Sequence, residues 1–170
     1  MLWLHEAARV FEDRLVDDTD RSWFKTLIQD LLNKHFGEKW AMDDFEGILF
    51  GDYLTLEDRA YQEITDMNEL PLLMNEYLED YNAGSGSASG HQAMDLVFFQ
   101  YAMEHISRIA RILRQPRGNA LLVGVGGSGK QSLSRLAAFT SDASVETITI
   151  SSTYSMNDLK EDLKAMYMKA

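Results

Sequence analysis

The sequence predicts an α-rich first half followed by the opening of an α/β module built on a phosphate-binding loop, and three observations carry that expectation. The first is the run Ala120-Leu-Leu-Val-Gly-Val-Gly-Gly-Ser-Gly-Lys-Gln-Ser-Leu133, which reads as an apolar strand, a glycine-rich loop and the start of a helix. The second is apolar spacing of three and four residues through much of the stretch before it. The third is charge asymmetry. Residues 1–83 hold 20 acidic and 7 basic side chains, a balance of −13, whereas residues 84–170 hold 7 acidic and 9 basic, a balance of +2. Halves so different predict two modules.

At 170 residues the chain is long enough for a real core, burying roughly 70% of its unfolded surface if it folds as one unit. It has no cysteine, which excludes disulfides and cysteine-based zinc sites and predicts a cytoplasmic setting. The N-terminus lacks a basic lead and is broken by Glu6 and Arg9, so no signal peptide is expected. No run reaches the roughly 18 apolar residues of a membrane span, and we expect a soluble protein, or a soluble piece, with no membrane partner. The acidic first half argues against a nucleic-acid footprint.

In chain order, Leu4, Ala7, Ala8, Phe11 and Leu15 predict an amphipathic helix ending near Asp17–Asp18. Thr19 or Asp20 is the expected cap of the next helix, whose broad apolar face carries Trp23, Leu27 and Leu31 with Phe24, Ile28 and Leu32. Trp3 and Trp23 read as core anchors, and His5 and His35 as isolated rather than metal-binding. Between Gly37 and Asp66 the periodicity fades, apart from a brief apolar Ile48-Leu49-Phe50. Asn68 is then the expected cap of a helix with Pro71 in its first turn and a stripe of Leu70, Leu73, Met74, Tyr77, Leu78 and Tyr81. The stretch Asn82-Ala-Gly-Ser-Gly-Ser-Ala-Ser-Gly90 has the composition of a flexible linker, and the boundary is placed at 83–90.

Beyond it, Phe99, Met103, Ile106, Ala110 and Leu113 mark another helix. Its Arg108, Arg111, Arg114 and then Arg117 recur every third residue, reading as a solvated basic face ahead of a phosphate or partner contact. Gln115 to Asn119 makes the turn into the buried strand Ala120–Val123. Val145–Ile150 predicts a second strand, and Ser155 with Asp158 resembles a capping box for a last helix carrying Leu159, Leu163 and Met166.

The chemistry of the loop explains its residue types. The pattern G-x-x-x-x-G-K-[ST] is met by Gly124, Gly129 and Lys130, with Gln131 where a hydroxyl is expected and Ser132 one place later. A polyphosphate needs many donors converging on a small volume, and only backbone without Cβ atoms wraps so closely. The candidate nucleotide-binding residues are Gly124, Val125, Gly126, Gly127, Ser128, Gly129, Lys130, Gln131 and Ser132. The expected ligand is ATP or ADP, with Mg2+ possible and Ser132 its candidate ligand. The plainer alternative is an ordinary Gly-rich turn. No later apolar strand ends in the acid a P-loop ATPase uses to hold magnesium, so weak or incomplete nucleotide binding without turnover is expected of this piece and no catalytic residue is assigned. The chain reads as a segment of a larger protein.

Several local runs carry a resemblance as well. Leu2-Trp-Leu-His-Glu6, Arg9-Val-Phe, Asp13-Arg-Leu-Val-Asp-Asp18, Phe50-Gly-Asp52, Tyr77-Leu-Glu-Asp-Tyr-Asn82, Glu104-His-Ile-Ser-Arg-Ile109 and Gly118 through Leu133 together resemble axonemal dynein heavy chains. The resemblance implies that residues 1–82 form a helical lid-like region of the third AAA+ module, that 83–90 link, and that 91–170 open the fourth, an incomplete α/β P-loop NTPase (AAA+) module. It implies a regulatory nucleotide at Gly124 to Ser132, Gln131 included, and an adenine pocket at Leu96 and Val97. It further implies a ciliary minus-end-directed microtubule motor in the axoneme. Partners would then be the neighbouring AAA+ modules, microtubules and dynein light and intermediate chains. The alternative from another class is a stand-alone nucleotide-binding switch or structural adaptor.

Overall fold

The computed structural model describes residues 1–37, 39–45, 47–55, 59–84 and 92–169. Most of the Gly/Ser run assigned as a linker lies outside the described residues.

Helix α1 (Leu2–Ala7) runs into a wider π-helical turn at Ala8–Glu12, where the Asp13 amide donates to the carbonyl of Ala8. The wider turn rotates the residues after it out of phase, so Leu4 and Ala7 are buried while Phe11, expected on the same stripe, faces solvent. Helix α2 (Asp18–Phe36) is capped by Asp17, not by Thr19 or Asp20: its Oδ1 accepts from the Asp20 amide at 2.9 Å. Phe24, Ile28 and Leu32 form its inner face and pack with Leu4 and Ala7 into a first core. Trp23 and Trp3 are not core anchors. A helix buries only one arc of a broad apolar face, and Trp23, one position from Phe24, is 65% exposed, while the half-exposed Trp3 leans on Phe36.

The faded region holds a 3-10 turn (Met42–Phe45) and two short strands, β1 (Phe50–Gly51) and β2 (Gln62–Glu63), paired antiparallel. Helix α3 (Leu70–Ala83) buries Leu70, Met74, Tyr77, Leu78 and Tyr81 as its spacing predicts. Asn68 does not cap it: the residue before the helix is Glu69, and the Asp66 side chain accepts from the Asn68 and Glu69 amides instead.

Helix α4 (Gln100–Arg114) is the central beam, with Met103, Ile106, Ile109 and Ala110 buried. They share one core with Leu49, Tyr53, Ile64, Leu70, Met74 and Tyr77 from before the Gly/Ser run and with Leu136 and Ala137 from helix α5 (Lys130–Thr140). Asn82 and Met94 close the gap around that run, exchanging two side-chain hydrogen bonds of 2.8 Å. Inside this core the Tyr53 hydroxyl meets Ser107 Oγ at 2.5 Å, and burial pushes the phenol up to about 12.

The two later strands are not formed. Leu121 is 90% exposed and Val123 86%, and neither they nor Val145–Ile150 join a ladder. A strand exists only through its hydrogen-bonded neighbours, and parallel strands need cover on both faces. Among the described residues the one sheet is the β1–β2 pair. Helix α6 (Met156–Lys169) begins with the expected capping box, the Ser155 amide and hydroxyl both donating to Asp158 Oδ2 at 2.7 Å.

Candidate functional site

The loop's path is set by its covalent surroundings. At the end of α4 the chain reverses over Gln115–Asn119, where Arg117 sits at φ 58° and Gly118 passes so close to α4 that a Cβ there would lie 1.9 Å from the Ile112 carbonyl oxygen. From there residues 120–128 run exposed to Gly129, whose left-handed φ of 79° precedes α5, with Gly127 at φ 77° just before it. L-residues pay about 1–2 kcal/mol in that region, so glycine is the unstrained residue at both positions of this backbone path.

Helix α5 fixes the site against the core. Leu136 and Ala137 are fully buried against α4 and α3, and Leu133 leans on the same cluster. Its first hydrogen bond runs from the Leu133 amide to the Gly129 carbonyl at 2.9 Å. The amides of Lys130, Gln131 and Ser132 precede that bond, so no intrahelical carbonyl serves them. They form the positive end of a helix whose other end is anchored.

Lys130 organises the loop. Its Nζ donates to the carbonyls of Gly124 at 2.6 Å and Val125 at 2.7 Å and to Ser128 Oγ at 3.0 Å. This draws Gly124, Val125 and Ser128 around one ammonium, and a Cβ on Gly124 would crowd Ser128 Oγ at 3.0 Å. The donor set fits a polyphosphate, with exposed main-chain amides, a single mobile cation and two left-handed glycines. An arriving anion competes with neutral carbonyls for the ammonium, and a bond between two opposite charges is stronger than one between a charge and a neutral carbonyl. Ser132 sits half-buried on the first turn of α5 and Gln131 is exposed, so Ser132 is the hydroxyl nearer the helix body.

Leu96 packs on the main core with Met94 and Phe98, while Val97 is 80% exposed in the segment ahead of α4.

Sequence reasoning missed the role of the arginines. Arg111 makes a forked ion pair with Glu6, Arg108 reaches Glu104 and Asp13, and Arg114 donates to Asp52 at 2.9 Å while lying over the Tyr61 ring. They are not a solvated face. The opposite charge balance of the two halves was the signal for these pairs.

His5 is likewise buried rather than isolated, with Nδ1 3.3 Å from the Ile48 carbonyl and Nε2 2.9 Å from the Tyr61 hydroxyl. Burial first, and then the Arg9 and Arg111 charges, hold its pKa below the ordinary value against the Ile48 bond and Glu6.

Comparison with known proteins bears on this geometry. A family model described as "P-loop containing dynein motor region D4" matches residues 94–170. Human dynein axonemal heavy chain 6 is 42% identical over 99% of the chain, and human dynein axonemal heavy chain 10 is 44% identical over 99%. Mouse dynein axonemal heavy chain 12 is 37% identical over 98%. The chain spans only 4% of the first two relatives and 6% of the third.

Proposed function

We propose, from the premise that this chain is homologous over 99% of its length to axonemal dynein heavy chains, that its loop Gly124–Ser132 binds ATP or ADP within a ciliary motor. The observation that supports the reading is that Lys130, the first residue of α5, gathers the loop oxygens of Gly124, Val125 and Ser128 around its ammonium at the amide end of that helix. The main-chain donors and Lys130 take the phosphates, and Ser132 offers the hydroxyl for a magnesium ion that would neutralise them. Leu96 and Val97 are proposed for the base.

In this reading residues 1–82 close a third AAA+ module and 91–170 open the fourth, joined through 83–90. The nucleotide here is regulatory. The parent motor's partners are its other AAA+ modules, microtubules and light and intermediate chains, and its location is the axoneme.

Calorimetric titration of ATP and of ADP into the chain and into Lys130→Ala tests the site. The expected outcome is saturable binding that Lys130→Ala weakens at least about 10-fold, as one lost charge-assisted contact of roughly 1.5–3 kcal/mol requires, with the unfolding temperature unchanged. Equal affinity in both proteins would defeat the assignment.

A further inference from the structure

The far end of the phosphate-loop helix is held by the other half of the chain, and the accounting of its last carbonyls shows how. The Ala137 carbonyl accepts from the Ser141 amide, Ala138 from the Ala143 amide at 2.8 Å, and Phe139 from the Asp142 amide at 3.1 Å. That is the bond pattern of a Schellman stop. Thr140, the last helical residue, has the one terminal carbonyl this pattern leaves over. It accepts from Arg59 Nη1 at 2.8 Å, across 81 residues of sequence.

The same guanidinium binds a second group. Arg59 Nη2 lies 2.5 Å from Asp142 Oδ2, and Asp142 occupies the left-handed position of the stop at φ 52°. Glycine is the unstrained residue there. An aspartate at that position brings a carboxylate to the C-terminal, negative end of a helix, where it is repelled unless a cation covers it. Arg59 covers both the carbonyl and the carboxylate. It is itself braced, since its own carbonyl accepts from Arg114 Nη1 at 3.1 Å, and Arg114 in turn binds Asp52 beside β1.

We infer that Arg59 is a positioning residue for the phosphate loop, coupling anion binding at the Lys130 end of α5 to the β1–β2 segment at its Thr140 end. This deepens the nucleotide reading and rests on it. Helix α5 spans about 16 Å and is packed along one face by Leu136 and Ala137, so it transmits displacement as a rod. Fixing its far end holds the first-turn amides where a phosphate needs them, which lowers the ordering cost of binding. Linkage then requires the reverse: bound nucleotide tightens the Arg59 contacts and steadies the segment that carries them.

The test compares the chain with Arg59→Met, which keeps the stem, with Arg59→Lys, and with Asp142→Asn, since asparagine tolerates the left-handed position and only the charge is lost. Three quantities are measured: ATP and ADP affinity by calorimetry, hydrogen exchange at residues 47–55 and 59–64 with and without ATP, and the unfolding temperature. We expect ATP to slow exchange at 59–64 in the unaltered chain. Arg59→Met should weaken ATP binding by about fivefold or more and abolish that ATP-dependent slowing, with Arg59→Lys and Asp142→Asn between the two. An Arg59→Met protein that only melts lower, with affinity and ATP-dependent slowing intact, would make Arg59 a structural contact and overturn the inference. If the unaltered chain gives no ATP binding that Lys130→Ala removes, the nucleotide reading itself falls and the coupling falls with it.

Discussion

At the scale of residues, single side chains decide more here than composition suggests. His5 is the clearest titrating case. Because burial keeps its folded pKa below the ordinary 6.5, the unfolded chain binds the proton more readily, and folding stability falls as pH drops below about 6.5. Glu6, held low first by its bond to Arg111, adds a second loss only below about 4.5. Denaturant unfolding between pH 7.5 and 5 should therefore show declining stability, and His5→Gln should flatten that decline. An unchanged slope in the variant would mean His5 does not titrate on unfolding. Gly127 and Gly129 are legible in the sequence as loop glycines and take left-handed φ, whereas the close approach of Gly118 to the Ile112 carbonyl is not legible there. His5 was not legible, since its partners Ile48 and Tyr61 lie 43 and 56 residues away.

At the scale of elements, the sequence foretells a helix well when one narrow stripe is apolar. The α3 stripe from Leu70 to Tyr81 is buried as spaced except at Leu73, which is half-buried. It foretells poorly when a face is broad, as in α2, where Phe24 rather than Trp23 turns inward, or when a π turn shifts the phase, as after Ala8. The apolar runs 120–123 and 145–150 read as strands because their residues are strand-like, yet a strand is a relation between chains and not a property of one run. Helix α4 has the most to lose. Ile106 is fully buried where α4 meets the residues from both halves, and Ile106→Ala should cost about 2–5 kcal/mol. Chemical denaturation of that variant checks it, and a loss under about 1 kcal/mol would place the core elsewhere.

At the scale of the molecule, residues from both sides of the Gly/Ser run pack into one core and are pinned by ion pairs, Glu6 with Arg111, Asp52 with Arg114, and Arg59 with Asp142. The composition showed the imbalance of −13 and +2 but not which ion pairs cross between the halves, because pairing depends on which helix face the arginines take. The candidate loop was legible as a motif. Its geometry was not, for the Lys130 ammonium is folded onto the carbonyls of Gly124 and Val125, and the proposed binding requires an anion to displace them. Backbone amide chemical shifts recorded while ADP is added check that displacement: the largest changes are expected on residues 124–132, led by Gly129 to Ser132, and changes centred elsewhere in the chain, or none at saturating ADP, would rule it out.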